Sequence, residues 1–295
     1  MKGYLFVITA AVLWGLIGLF SKSILNAGVG ALEISFWRAL LGGALFVIHA
    51  GATQQLRLQP GHAGRDLGAF AGFAVFGVIV FYTSLNLAID SGGVSLAFIL
   101  LYSAPAFVAV TAWLLLGETL TPRKLALLGV TMLGVVLVSQ GSGSGVTISP
   151  LAVFWGLLAG LSYASYYIFG KWILKRYAPV TIFAIILPMG ALGLWPLVEF
   201  SPKSMAVWLT IGLLALVSTY AAYLIYYTGL QLVEASRASL VATIEPVVAA
   251  GLAAVVFGER LGTLGLVGGA LIIVGALLAS LPERRFRALV TPQHE

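Results

Sequence analysis

The chain has no cysteine and little charge. The absence of cysteine excludes a disulfide framework, a thiolate nucleophile and thiolate metal ligands. Charged residues make up 9% of the 295, against about 25% in a soluble domain. That deficit excludes a water-covered globule, because the missing charges are what would cover its surface. Histidine is scarce as well: His49, His62 and His294 are all there are, and none lies at metal-ligand spacing. There is no His-Glu-x-x-His stretch, no phosphate-binding loop and no ATPase domain. The paired acids or Ser-His pair of an intramembrane protease are not evident either. The sequence therefore reads as no enzyme, with no cofactor and no metal, and any solute movement has to draw on a gradient.

What is present is apolar. Hydrophobic residues reach 60% and the mean hydropathy is +1.05, which points to an all-α polytopic membrane protein. The apolar runs are continuous over about twenty residues, whereas barrel strands alternate over about ten. Ten segments stand out, near 4–24, 31–50, 68–88, 95–116, 124–140, 151–173, 180–200, 206–228, 238–257 and 263–281. Backbone groups in lipid need internal partners, so these segments are expected as helices. The first resembles a signal sequence but is long and followed by more spans, so it is read as a retained helix. GSGSGVTISP at 141–150 reads as a linker; no strand precedes it and no lysine follows, so it is not a phosphate loop.

Ten spans put both termini on one side. That side holds Lys2, Arg57, Arg65, Arg123, Lys124, Lys171, Lys175, Arg176, Arg237, Arg284, Arg285 and Arg287, and the other holds Lys22, Lys203 and Arg260. The bias predicts both termini cytoplasmic. It also accounts for the net charge of +6 as topology-holding loops, with the lipid bilayer and not nucleic acid as partner.

The two halves of the chain are related. Residues 105–139 align with 246–280 without a gap, with 10 of 35 positions identical, among them the proline, the Gly-Glu pair and the last serine. Phe20–Leu25 similarly matches Phe169–Leu174. Five spans per half is an odd number, so the second half enters from the opposite face: an inverted repeat, 1–140 and 151–281, joined by the linker and followed by a cytoplasmic tail at 282–295. Such repeats bracket a midplane site in secondary transporters.

Ten spans in two halves, with "YSAPAFVAVTAWLLLGE" at 102–118 and "EPVVAAGLAAVVFGER" at 245–260, resemble the drug/metabolite transporter superfamily, EamA type, over about residues 3–281. "AAVLWGLIGLFSK" and the aromatic-rich helices are most similar to YddG-type exporters of aromatic amino acids. The resemblance implies a bacterial inner-membrane exporter of small metabolites, with a central cavity between the halves.

The residues themselves supply candidates for a site. Glu245 sits in an apolar run beside Pro246. An acid there should face protein or water, where it could bind a proton, hold a substrate amino group, cap a backbone break or serve structure; its repeat mate is Ala104. Pro105 and Pro246 are candidate kink points, with Gly251 for pliancy or close packing. Glu118 and Glu259 read as structural, pairing with Arg123 and Arg260 or with neighbouring helix N-termini. Glu33 and Arg38 read as a local ion pair or as interfacial anchors. Trp14, Tyr82, Asn86, Tyr102, Tyr163, Tyr223 and Tyr227 lie deep in their segments, and with Glu245 form the candidate substrate site; packing between helices is the competing role. The expected function is a secondary transporter moving small amphipathic metabolites, amino acids above all, by alternating access, with a proton gradient as candidate driving force. An uncoupled facilitator or channel is the alternative.

Overall fold

The computed structural model describes residues 1–59, 62–140, 149–257 and 262–281. Most of the expected linker, the 282–295 tail, Glu259 and Arg260 lie outside the described residues. The described chain forms ten helical rods without strands: α1 (Lys2–Asn26), α2 (Ala31–Ala52), α3 (Ala63–Gly92), α4 (Val94–Leu101 and Ala104–Leu116), α5 (Pro122–Gln140), α6 (Pro150–Ile173), α7 (Pro179–Leu194), α8 (Met205–Leu230), α9 (Ala235–Ala242 and Glu245–Phe257) and α10 (Thr263–Ser280). Among the described residues, nine rods are long and apolar enough to span a membrane. The tenth, α5, carries Arg123 and Lys124 in its first turn.

The packing reproduces the repeat. α1 lies against α8 and α9, and its counterpart α6 lies against α3 and α4; α2 packs on α7, and α5 on α10. Exchanging the halves maps this arrangement onto itself. The α5–α10 crossing shows why glycine is needed. A Cβ on Gly134 would meet Ile272 at 2.8 Å, and one on Gly275, its repeat mate, would meet Thr131 Oγ1 at 2.6 Å. Lipid tails are as apolar as leucine, so helices associate in a membrane through such close packing and not by hydrophobic expulsion.

Two further irregularities are also paired. Ala74–Val80 in α3 and Leu216–Ala221 in α8 adopt the wider π turns, a form that concentrates at functional sites. α4 breaks at Tyr102–Ser103 and α9 at Thr243–Ile244. At each break a hydroxyl turns back on the chain: Ser103 Oγ donates to Leu100 O, and Thr243 Oγ1 to Leu240 O. The expectation of proline-centred kinks needs correction here. Pro105 and Pro246 are each the second residue of the piece after the break, where a missing N–H costs nothing. The chain bends ahead of them. Gly251 is exposed, and a Cβ there would meet nothing within 4 Å, so it serves no close packing.

Polar contacts tie the ends of the bundle. At the basic end, Glu118 accepts from the N–H groups of Ala235 (2.6 Å) and Ser236 (3.2 Å), capping α9. Lys171 Nζ donates to the carbonyls of Leu230 and Val233 at 2.8 and 2.7 Å, and Arg176 pairs with Asp66 at 2.7 Å. At the other end, buried Glu33 pairs with Lys203 and accepts from Ser201 N and Trp37 Nε1, both at 3.1 Å. Glu33 therefore does not pair with Arg38. Five residues of helix separate them by about 140° of rotation, which turns them to different faces.

Candidate functional site

One cavity of ≈ 110 Å³ lies at the centre of the bundle, lined from both halves by Trp14, Ile17, Arg38, Phe81, Tyr82, Leu85, Phe98, Leu101, Tyr102, Tyr163, Tyr223 and Glu245. Its position follows from the irregular backbone. The cavity lies beside the α4 and α9 breaks, which supply Tyr102 and Glu245, and just past the π turns of α3 and α8, which are followed by Phe81, Tyr82 and Tyr223. Irregular backbone at membrane depth is tolerated where it lines such a space. Small residues let the neighbouring helices close on the breaks. A Cβ on Gly160 of α6 would lie 2.7 Å from Leu100 O, and one on Gly15 of α1 would lie 2.6 Å from Val248.

Six of the eight expected substrate residues meet here: Trp14, Tyr82, Tyr102, Tyr163, Tyr223 and Glu245. Asn86 and Tyr227 do not. Asn86 Nδ2 donates to Tyr82 O at 2.7 Å, and Tyr227 is buried with its hydroxyl donating to Tyr166 O at 2.9 Å. Sharing a helix face with a lining residue puts a side chain one turn away, which here is past the edge of the cavity.

Two charges face the space. Glu245 begins the second piece of α9 and has two hydroxyls as hydrogen-bond partners, Tyr102 and, at 3.4 Å, Tyr163 Oη. Arg38 on α2 was not among the expected site residues. It is only 8% exposed, donates from Nε to Thr219 Oγ1 at 3.2 Å, and lies with its guanidinium carbon 5.7 Å from the centroid of the Tyr82 ring. A single arginine inside an apolar segment was the signal that could have found it.

Toward the basic end, the layer beyond the cavity is closed by buried aromatic residues. Tyr163 and Tyr223 are each followed one turn later by tyrosines, Tyr166 and Tyr167 on α6 and Tyr226 and Tyr227 on α8, and Phe183 stacks on Tyr223 with ring centroids 4.7 Å apart. The buried hydroxyls of Tyr166 and Tyr226 make no hydrogen bond among the described residues. In the opposite direction the lining gives way to less covered positions; Gly18, one turn beyond Trp14, is exposed and a Cβ there would meet nothing. A larger, more open groove of ≈ 520 Å³ lies elsewhere, between α3, α4 and α6. Its lining is almost wholly apolar, with no ionisable side chain, and is suited to lipid tails.

The profile of the EamA-like transporter family matches residues 1–140 and 150–281. This chain belongs to the EamA-like transporter family. It is thus a multi-pass membrane protein and a transporter. Among its EamA-like relatives, an uncharacterized transporter of Archaeoglobus fulgidus is 30% identical over 92% of this chain and 94% of its own length. The uncharacterized inner membrane transporter YicL of Salmonella typhimurium is 25% identical over 96% and 97%, and the uncharacterized transporter YwfM of Bacillus subtilis 28% over 97% of each. A crystal structure superposes with a TM-score of 0.80, covering 96% of this chain and 98% of its own at 19% identity. At that identity the likeness carries the fold alone.

Proposed function

We propose that this EamA-family transporter is an exporter of small amphipathic metabolites, amino acids in particular, working by alternating access in a bacterial inner membrane. The observation that carries the reading is the central cavity, drawn from both inverted halves and walled by aromatic rings with polar tips. Rings accept apolar side chains and the hydroxyls meet polar head groups. The buried tyrosines on the basic side are the gate. Permanent packing would favour phenylalanine there, because a buried hydroxyl without a partner is costly. Tyrosine suits a layer that is dry in one state and wet in the other. Basic residues at 171–176 and 237 gather at the end that also holds the start of α1, which fits cytoplasmic termini. The reading rests on the site residues Trp14, Tyr82, Tyr102, Tyr163, Tyr223 and Glu245, with a proton gradient as driving force.

Counterflow in proteoliposomes tests it. A carrier shows saturation and trans-stimulation, and imposing a pH gradient drives accumulation. Linear, unstimulated flux would replace the carrier with a pore. Tyr82→Ala and Tyr163→Ala should each lower transport without lowering the amount of protein in the membrane.

A further inference from the structure

The cavity contains a guanidinium and a carboxyl group that do not meet in an ion pair. Arg38 comes from α2 and Glu245 from the break in α9, and α1 packs on both helices and stands between them. No ion pair joins the two side chains. Each is instead held by neutral groups. Arg38 is fixed through Nε by Thr219 and lies by the Tyr82 ring, and its two terminal nitrogens make no hydrogen bond among the described residues. Glu245 has two neutral hydroxyl partners, Tyr102 and, through a long bond, Tyr163, and no cation in contact among the described residues. Separated charges inside a membrane protein are expensive, and such residues mark substrate sites. A guanidinium with a free terminal edge is the group that recognises carboxylate in two-point geometry. A carboxylate that lacks a cation has the capacity to take an ammonium.

We propose that Arg38 and Glu245 are the two poles of a zwitterion site: Arg38 takes the substrate's carboxylate, Glu245 takes its ammonium, and the substrate is a neutral α-amino acid. This rests on the carrier reading above and deepens it. The size of the cavity adds a constraint. Ligand pockets usually run to about 300–1,000 Å³, and this one is ≈ 110 Å³, room for about four waters at roughly 30 Å³ each. It holds the charged head group and a short side chain. A longer one extends along Ile17, Leu85 and Phe98 on the apolar part of the wall. Arg38 is thereby the specificity-determining residue for the carboxylate.

The test compares molecules that differ by one charge. Purified protein is titrated with the neutral amino acids and, for each that binds, with its decarboxylated amine and its deaminated acid, read by thermal stabilisation and by tryptophan fluorescence from the cavity. Counterflow in liposomes is measured on the same preparation. At least one neutral amino acid should bind, and both single-charge analogues should bind roughly 30-fold more weakly or worse, the scale for removing one partner of a desolvated charge pair. Arg38→Gln should weaken the amino acid by a similar factor and move the amine little. Glu245→Gln should do the converse, sparing the deaminated acid. Should Arg38→Gln not fold, Thr219→Val keeps the charge, frees Nε and should still weaken the amino acid relative to the amine. Equal binding of amino acid and amine, or amino-acid binding untouched by Thr219→Val and Arg38→Gln, overturns the clamp. Counterflow of uncharged solutes with no amino-acid binding also overturns it and leaves the carrier reading standing. Charge-paired binding without counterflow does the reverse.

Discussion

Glu118 lies just past the end of α4 in one half of the molecule and caps α9 in the other, so its removal should loosen the contact between halves. The perturbation is Glu118→Ala. It deletes the acceptor for the N–H groups of Ala235 at 2.6 Å and Ser236 at 3.2 Å, together with that for the Ser236 hydroxyl. Loss of a helix N-cap costs about 0.5–2 kcal/mol. The carboxylate is only 10% exposed, so water replaces it poorly and the upper part of that range applies, with about 1 kcal/mol more for the hydroxyl. Lys124 adds little, because Glu118 is 3.8 Å from it and Glu234 remains at 2.9 Å. The expected loss is about 3 kcal/mol, two decades in the unfolding constant. Glu118→Gln keeps one neutral acceptor and should lose about half as much. The assay is reversible unfolding in mixed detergent micelles, followed by circular dichroism. A loss below about 0.5 kcal/mol for Glu118→Ala, the ordinary range for inconsequential surface changes, would refute the reasoning. So would equal losses for alanine and glutamine, which would show that a neutral acceptor at this place contributes nothing to the cap.

Other expectations follow from the same contacts. Gly268→Ala places a methyl 2.6 Å from Gly134 O and should destabilise by about 1–3 kcal/mol, whereas Gly251→Ala, in open space, should stay within about 0.5 kcal/mol; the same unfolding assay separates them. Lys203→Met leaves Glu33, 1% exposed, without its cation and should cost about 3–5 kcal/mol, read as a lower midpoint in thermal unfolding. Because the chain has no cysteine, single-cysteine labelling is free of background. Gly18→Cys should react with a membrane-impermeant maleimide from the Lys203 side, and Tyr167→Cys, in the closed layer, should not.

Much of the architecture was legible because it depends on composition and periodicity. Lipid forces helices on any long apolar run, and the Pro-to-Ser alignment of 105–139 with 246–280 exposed the repeat. The site was legible only in part, because the rotation of each helix about its axis is set by partners far away in sequence. Arg38 points at the cavity because Thr219, 181 positions on, holds its Nε. Glu33 turns away from Arg38 toward Lys203, 170 positions on. Asn86 and Tyr227 share faces with lining residues yet fall outside the cavity, since a helical period gives a face and not a depth. The prolines named the right places for the wrong reason. A proline reads alike in a kinked helix and in the first turn of a new one, and only the carbonyl it would have bonded tells them apart. The π turns at Ala74–Val80 and Leu216–Ala221 have no residue signature that the sequence reading could use.

Glu245 begins a helix piece whose counterpart begins with Ala104. A carrier made of two identical halves would cycle between end states related by a half-turn about an axis in the membrane plane and equal in energy. An acid in only one of the halves is a charge-bearing difference at the cavity itself, where it would make those end states unequal.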